Sequence, residues 1–243
     1  MGDRFSTPVP AFPSLRMAWC DLLFAHWRVD AAVIRSLLPR TNPPMEVDEF
    51  DGSAWIGVVP FRMAEVRWSG LPSFPGTGEF PELNVRTYVR GGGRPGVWFF
   101  SLDAASRLAV RAARIGFHLP YFDARMRCEI SGEGIRYRSE RTHRGGGTAV
   151  FEGEYRPRGP VFRSEAGSLE HSLTERYRLF AATPRGCLLR GEIEHEPWPL
   201  QRAEAKLVRC EMTGPLGFEL PAQEPHLLFA RRIEVRADRL RQS

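Results

Sequence analysis

Four residues of chemically capable type occupy every second position from 82 to 88: Glu82, Asn84, Arg86 and Tyr88. At strand spacing they share one face, with Leu83, Val85, Thr87 and Val89 on the other. A carboxyl can take or give a proton. A guanidinium can grip a carboxylate through two parallel hydrogen bonds, and an amide and a phenol can orient what lies between. The same row is also what a water-facing strand surface looks like. Taken alone, the alternation reads as the solvated side of a half-buried strand, with the wall of a polar pocket as the other reading. Spacing limits both readings. Glu82 and Arg86 stand four residues apart, about 13 Å along a strand, too far to pair directly but suited to opposite ends of a small ligand.

The elements around this row are mostly strands. Residues 17–29 read as a first strand, and Asp30 as the N-cap of a short helix that Pro39 stops. Residues 45–50 form a short strand. Asp51-Gly52 is a tight hairpin turn, and a long strand returns from it, with Gly57 and Pro60 marking a bend. Residues 69–79 are rich in Gly and Pro and lead straight into the central strand, as a flap over a barrel mouth would. A hairpin from Glu82 to Asp103 closes through RGGGRPG. Asp103 then stands where it could cap the helix AASRLAVRAARI. Two Gly-rich turns divide residues 124–156 into a three-stranded meander, and PRGP reads as a crossing loop. Four further strands are expected from residue 168 on, the first of them in SLEHSLTERYRLFAA. The fold expected is mainly β: a closed or nearly closed antiparallel barrel around a central cavity, with a few short helices. Residues 1–16 read as a flexible arm and 17–243 as one domain.

Composition narrows the function. The chain has 243 residues, 42% of them hydrophobic and 26% charged, enough for a sizeable core. It has no apolar run of membrane-spanning length and no signal-like N-terminus, so a cytoplasmic protein without a membrane partner is expected. The net charge is +5, but the basic residues are interleaved with 29 acids, and no groove-reading motif is present. Nucleic acid is therefore not the expected partner, and the Arg-dense stretch 136–163 reads as a solvated sheet face. Four scattered cysteines have neither metal-site nor disulfide spacing. Of 34 basic residues only Lys206 is lysine. Arginine neither deprotonates nor forms a Schiff base, so imine chemistry has one candidate, in a strand-like run typical of surface lysines.

Other motifs fall away on spacing. Strand alternation puts Glu192, Glu194 and Glu196 on one face and His195 on the other, so no metal site is expected there. GSLEHSLTERY lacks the G-x-S-x-G elbow of a serine hydrolase. The Gly-rich runs close hairpins instead of opening helices, so they are not phosphate loops, and no cofactor is expected. His26, among aromatics in LLFAHW, has the setting of a hydrogen-bonded core histidine and is kept as a candidate ligand contact.

The words LLFAHW, AWIGVVPFRM, FPELNVRTYV, GVWFFSLDA, LPYFDARM, GSLEHSLTERY and PWPLQRAEA resemble those of the bacterial YqjF-like proteins. That family is a largely uncharacterised branch of the acetoacetate decarboxylase-like superfamily, and the resemblance runs from about Trp19 to the last strand. It implies a barrel enclosing a cavity, and it matches Glu82 to the cavity glutamate of the decarboxylase pattern. The polar row then becomes a pocket lining, with Glu82 as acid or base, Arg86 as carboxylate anchor and Asn84 as a hydrogen-bond partner. The word that holds the reactive lysine pair in the decarboxylases has Tyr121 and Phe122 in their place. The Schiff-base route is therefore not expected, while His118 and Tyr121 become candidate ligand contacts. The resemblance implies a small organic acid or carbonyl compound as ligand, either turned over or simply bound, and makes a homo-oligomer a further expectation.

Overall fold

The computed structural model describes residues 15–68, 79–107, 110–111, 114 and 118–243. The first fourteen residues of the expected arm and positions 69–78 of the expected flap lie outside them. Leu15 and Arg16 belong to the first strand.

In chain order the elements are β1 (Leu15–Val29), α1 (Ala31–Leu37), β2 (Met45–Val47), β3 (Ala54–Trp68), β4 (Phe80–Gly91), β5 (Arg94–Ala104), β6 (Tyr121–Ser131), β7 (Gly134–Arg141) and β8 (Val150–Phe162). They continue with α2 (Leu169–Thr174), β9 (Arg178–Ala182), β10 (Leu188–Glu194), β11 (Leu200–Cys210), a 3-10 turn (Gly214–Leu216), β12 (His226–Ala237) and β13 (Arg241–Gln242). Several ends follow from local chemistry. The Asp30 side chain accepts from the Ala32 amide at 2.7 Å and starts α1. Asp51 and Gly52 both have positive φ, 51° and 67°, the signature of a tight hairpin turn.

The strands pair in the order β5–β6–β7–β8–β11–β12–β1–β3–β4, and β4 pairs back with β5 to close a ring. β9 and β10 bridge β5 to β12, while β2 and β13 add short edges. The pairings are antiparallel except β5–β6 and β5–β9, which are parallel. The mainly β ring matches the expected architecture, with those two pairs departing from a purely antiparallel one.

β4 is buried on both faces, and this removes the solvated-face reading of its polar row. Leu83 and Val85 join a core with Ile135 and Tyr137 of β7 and Phe151 and Tyr155 of β8. Phe80 joins a second core with Val59 and Phe61 of β3, Leu179 of β9, Ile193 of β10 and Trp198. A strand clothed on one side only would have shown water its polar face; here a second layer covers that face as well.

Three local expectations are corrected. SLEHSLT is helix α2, capped by Ser168, whose hydroxyl accepts from the His171 amide at 3.2 Å. PRGP lies inside β8, which runs on to Phe162 along β11 after its pairing with β7 has ended at Tyr155. Beyond that point the prolines meet a partner strand on one side only, where a missing N–H is tolerated. Asp103 is a strand residue, fully buried, and its carboxylate is held by Arg141 Nε at 3.0 and 3.1 Å and Nη2 at 2.6 Å. It is an ion-pair partner, not a helix cap.

Candidate functional site: a buried polar row facing an aromatic wall

Glu82, Asn84, Arg86 and Tyr88 are 2%, 6%, 8% and 1% exposed. Pairing across β1, β3 and β4 sets the row. His26 lies opposite Gly57, and Gly57 opposite Arg86. One strand over on the other side, His26 stands opposite His226. Four residues back along β4, Glu82 stands opposite Phe61.

At one end, Tyr121 donates its hydroxyl to both Glu82 carboxyl oxygens, at 3.3 and 3.4 Å. Burial pushes the Glu82 carboxyl up to about 8; the Tyr121 bond works downward, and the Asp103 charge adds to the rise. Near neutral pH Glu82 is therefore mostly the neutral acid. The Tyr121 phenol is itself held well above its ordinary value by burial and by Glu82.

At the other end, Arg86 donates from Nε and Nη2 to the Tyr88 hydroxyl at 3.3 and 3.2 Å, and from Nη2 to the Leu173 carbonyl at 3.2 Å. Its guanidinium also lies over the rings of Phe24 and Tyr88, at 5.3 and 5.6 Å. These partners are neutral. Among the described residues no carboxylate pairs with this buried cation, whereas the nearby Arg176 is matched by Asp48. The Tyr88 hydroxyl lies 2.8 Å from the Leu173 carbonyl and 2.6 Å from His26 Nε2. A carbonyl can only accept, so the hydroxyl proton goes to Leu173 and His26 donates from Nε2. Burial, then the charges of Arg86 and His226, hold His26 well below its ordinary value, so its ring is neutral.

Aromatic rings from the neighbouring strands β1 and β3, with Trp198, line up beside the row as a wall. Phe24 meets Trp198 edge-on at 5.0 Å, Trp198 stacks on Trp19 at 6.0 Å, and Trp19 meets Phe61 at 5.9 Å. It starts beneath Arg86 and ends beside Glu82. Four buried polar atoms along this circuit have no hydrogen-bond partner: Asn84 Oδ1, His26 Nδ1, Trp19 Nε1 and Trp198 Nε1. Native interiors leave few such atoms, and several in one place mark somewhere a ligand or water completes the bonding.

Of the residues singled out in the sequence, Glu82, Asn84, Arg86, Tyr121 and His26 thus come together. His118 is exposed, at φ 48°, and is not part of the row. Lys206 is exposed on β11 opposite Glu154 and is not part of the row. The Arg-dense stretch is an outer ladder in which Arg136 pairs with Glu154, Arg138 with Glu152, and Arg156 and Arg158 with Glu204. Trp19, Trp198 and Leu173 escaped sequence reading, since an indole among apolar neighbours and a backbone carbonyl leave no pattern there. No helix among the described residues is long and apolar enough to cross a membrane.

The ring of strands is an acetoacetate decarboxylase-like fold, as its likeness to solved structures shows. The chain is similar to acetoacetate decarboxylase from Legionella pneumophila, with a TM-score of 0.65, 13% identity and coverage of 98% of this chain and 93% of that one. It is similar to the enduracididine biosynthesis enzyme MppR in complex with pyruvate, at 0.66, 15%, 98% and 93%. An acetoacetate decarboxylase-like enzyme from Sphingomonas wittichii RW1 gives 0.64, 15%, 100% and 99%. Sequence resolves the family within this fold. Residues 16–234 match the model of DUF2071, described as an uncharacterized conserved protein, and the chain belongs to that family. It is 45% identical over 239 residues to the uncharacterized protein YqjF of Bacillus subtilis (strain 168), covering 97% of this chain and 96% of that protein.

Proposed function

We propose that this protein is an acid–base enzyme acting on a small oxo- or hydroxy acid, without a Schiff base. The observation that carries this reading is the burial of two ionisable groups at the ends of one row. A neutral Glu82 stands at one end, and at the other a buried Arg86 cation has no counter-ion among the described residues. An unpaired interior charge is costly, and an incoming carboxylate relieves that cost while being gripped in bidentate fashion. Glu82 would hold a proton at the end of the ligand away from the carboxylate, donating it to an enolate or oxyanion that develops there and recovering it afterwards. Tyr121, bonded to the same carboxyl, would orient it, and Asn84 and His26 would bond the ligand along its length.

The pyruvate complex of the structurally similar MppR supports an oxo acid as the class of ligand. The second reading, a binding or sensing protein on the same fold, draws on the absence of lysine from positions 121 and 122. The displaced acidity of Glu82 favours turnover over mere binding.

The test is a thermal-shift screen of oxo-, hydroxy- and unsaturated acids, followed by product analysis of the hits. Ligands that bind the native state raise the melting temperature with ln(1 + [L]/Kd). Acids whose shift disappears in Arg86→Gln and whose conversion disappears in Glu82→Gln are the expected result. Binding without conversion would transfer the weight to the sensing role. Shifts indifferent to both substitutions would move the site elsewhere.

A further inference from the structure

The row and the aromatic wall make a closed circuit of contacts. From Arg86 it passes through Phe24, Trp198, Trp19 and Phe61, whose strand partner is Glu82, and returns along β4 through Asn84. Arg86 leans towards Tyr88 and Leu173, away from Glu82, while the Glu82 carboxyl is bonded to Tyr121. With about 13 Å between their backbones, a three- or four-carbon acid, about 4–5 Å long at about 1.5 Å per bond, does not reach from one to the other. A longer ligand does. Four aromatic rings link the two ends, and the two indoles each hold a buried N–H with no acceptor, with an unpartnered amide oxygen at Asn84 on β4 of the same sheet. A purely apolar tail would leave all three atoms unbonded, at the cost such atoms carry in an interior.

Building on the proposed acid–base reading, we infer that Trp19, Trp198 and Asn84 form a recognition subsite, and that the ligand is an oxo- or hydroxy acid carrying a planar ring with a polar substituent. The carboxylate lies on Arg86, the ring lies along the indoles in stacked or edge-on contact, and the substituent accepts from an indole N–H. A ring hydroxyl does this and also donates to the Asn84 oxygen.

The probes are 4-hydroxyphenylpyruvate and pyruvate, titrated against the full chain by calorimetry, with Arg86→Gln and Trp198→Phe alongside. Trp198→Phe keeps a ring but removes the N–H. The expected result is that the hydroxyaryl acid binds the unaltered protein about tenfold or more tighter than pyruvate. Trp198→Phe should erode that preference without weakening pyruvate, and Arg86→Gln should weaken both. Equal affinity for the two acids overturns the subsite while leaving the acid–base reading standing. If neither acid shows Arg86-dependent binding, both fall. Should Trp198→Phe not fold, the preference of the unaltered protein decides alone.

Discussion

His26 and Arg86 share one sheet face only because Gly57 stands between them. A Cβ at Gly57 would lie 2.9 Å from His26 Cδ2 and 3.4 Å from Arg86 Cγ. His26 cannot easily yield, being fully buried and bonded to Tyr88 at 2.6 Å. The glycine is thus a clearance for these two buried side chains, in the middle of a strand where it otherwise weakens packing.

Gly57→Ala is therefore expected to destabilise the protein by about 1–3 kcal/mol through overpacking, beyond the few tenths gained from a stiffer unfolded chain. Urea denaturation measures this. An alanine variant as stable as the parent, with unaltered ligand affinity, would show that the contact is loose.

Glu82 ties stability to pH in an unusual direction. Its carboxyl titrates at about 8 in the folded protein against 4.5 ordinarily, so between these values the native state binds a proton that the unfolded chain has released. This contribution is fully present below about 4.5 and falls by about 1.4 kcal/mol per pH unit until it is lost near 8. Relative to the parent, Glu82→Gln should thus gain melting temperature as pH rises from 5 to 8, with no further gain above. Parallel curves for the two proteins would mean that Glu82 is already ionised in the fold.

A buried cation without a carboxylate partner costs stability. Arg86→Met should be at least as stable as the parent without ligand, because Tyr88 keeps its bonds to His26 and the Leu173 carbonyl. The same variant should lose its stabilisation by carboxylates. A large drop in its ligand-free melting temperature would show instead that Arg86 is a structural brace.

Much of this was legible in the sequence, for identifiable reasons. The alternation from Glu82 to Tyr88 gave the strand and the residues sharing a face, because strand geometry fixes both. It could not say which face met water, since burial of the row comes from β9, β10 and the Trp198 loop, far along the chain. Helix α2 has six residues, too few to display a helical period, so its alternating polar letters passed for a strand. Its one local signal was the Ser168 cap. Asp103 sits after an apolar run and before a helical one, as a cap would, and only the pairing of β6 with β7 brings Arg141 against it. The aromatic wall was illegible because tryptophan and phenylalanine are core residues by default; what distinguishes Trp19 and Trp198 is the unpartnered N–H on each.

In the proposed mechanism Arg86 is the anion site, and calorimetry with pyruvate and its neutral methyl ester tests this most directly. The two differ in the charge of the group that Arg86 would grip, and little else. At pH 6.5 the acid should bind the unaltered protein about tenfold or more tighter than the ester, as a charge-assisted bidentate contact implies, and Arg86→Gln should reduce that ratio to about one. A ratio that is the same in both proteins would contradict the account, since the carboxylate would then be recognised away from the β4 row.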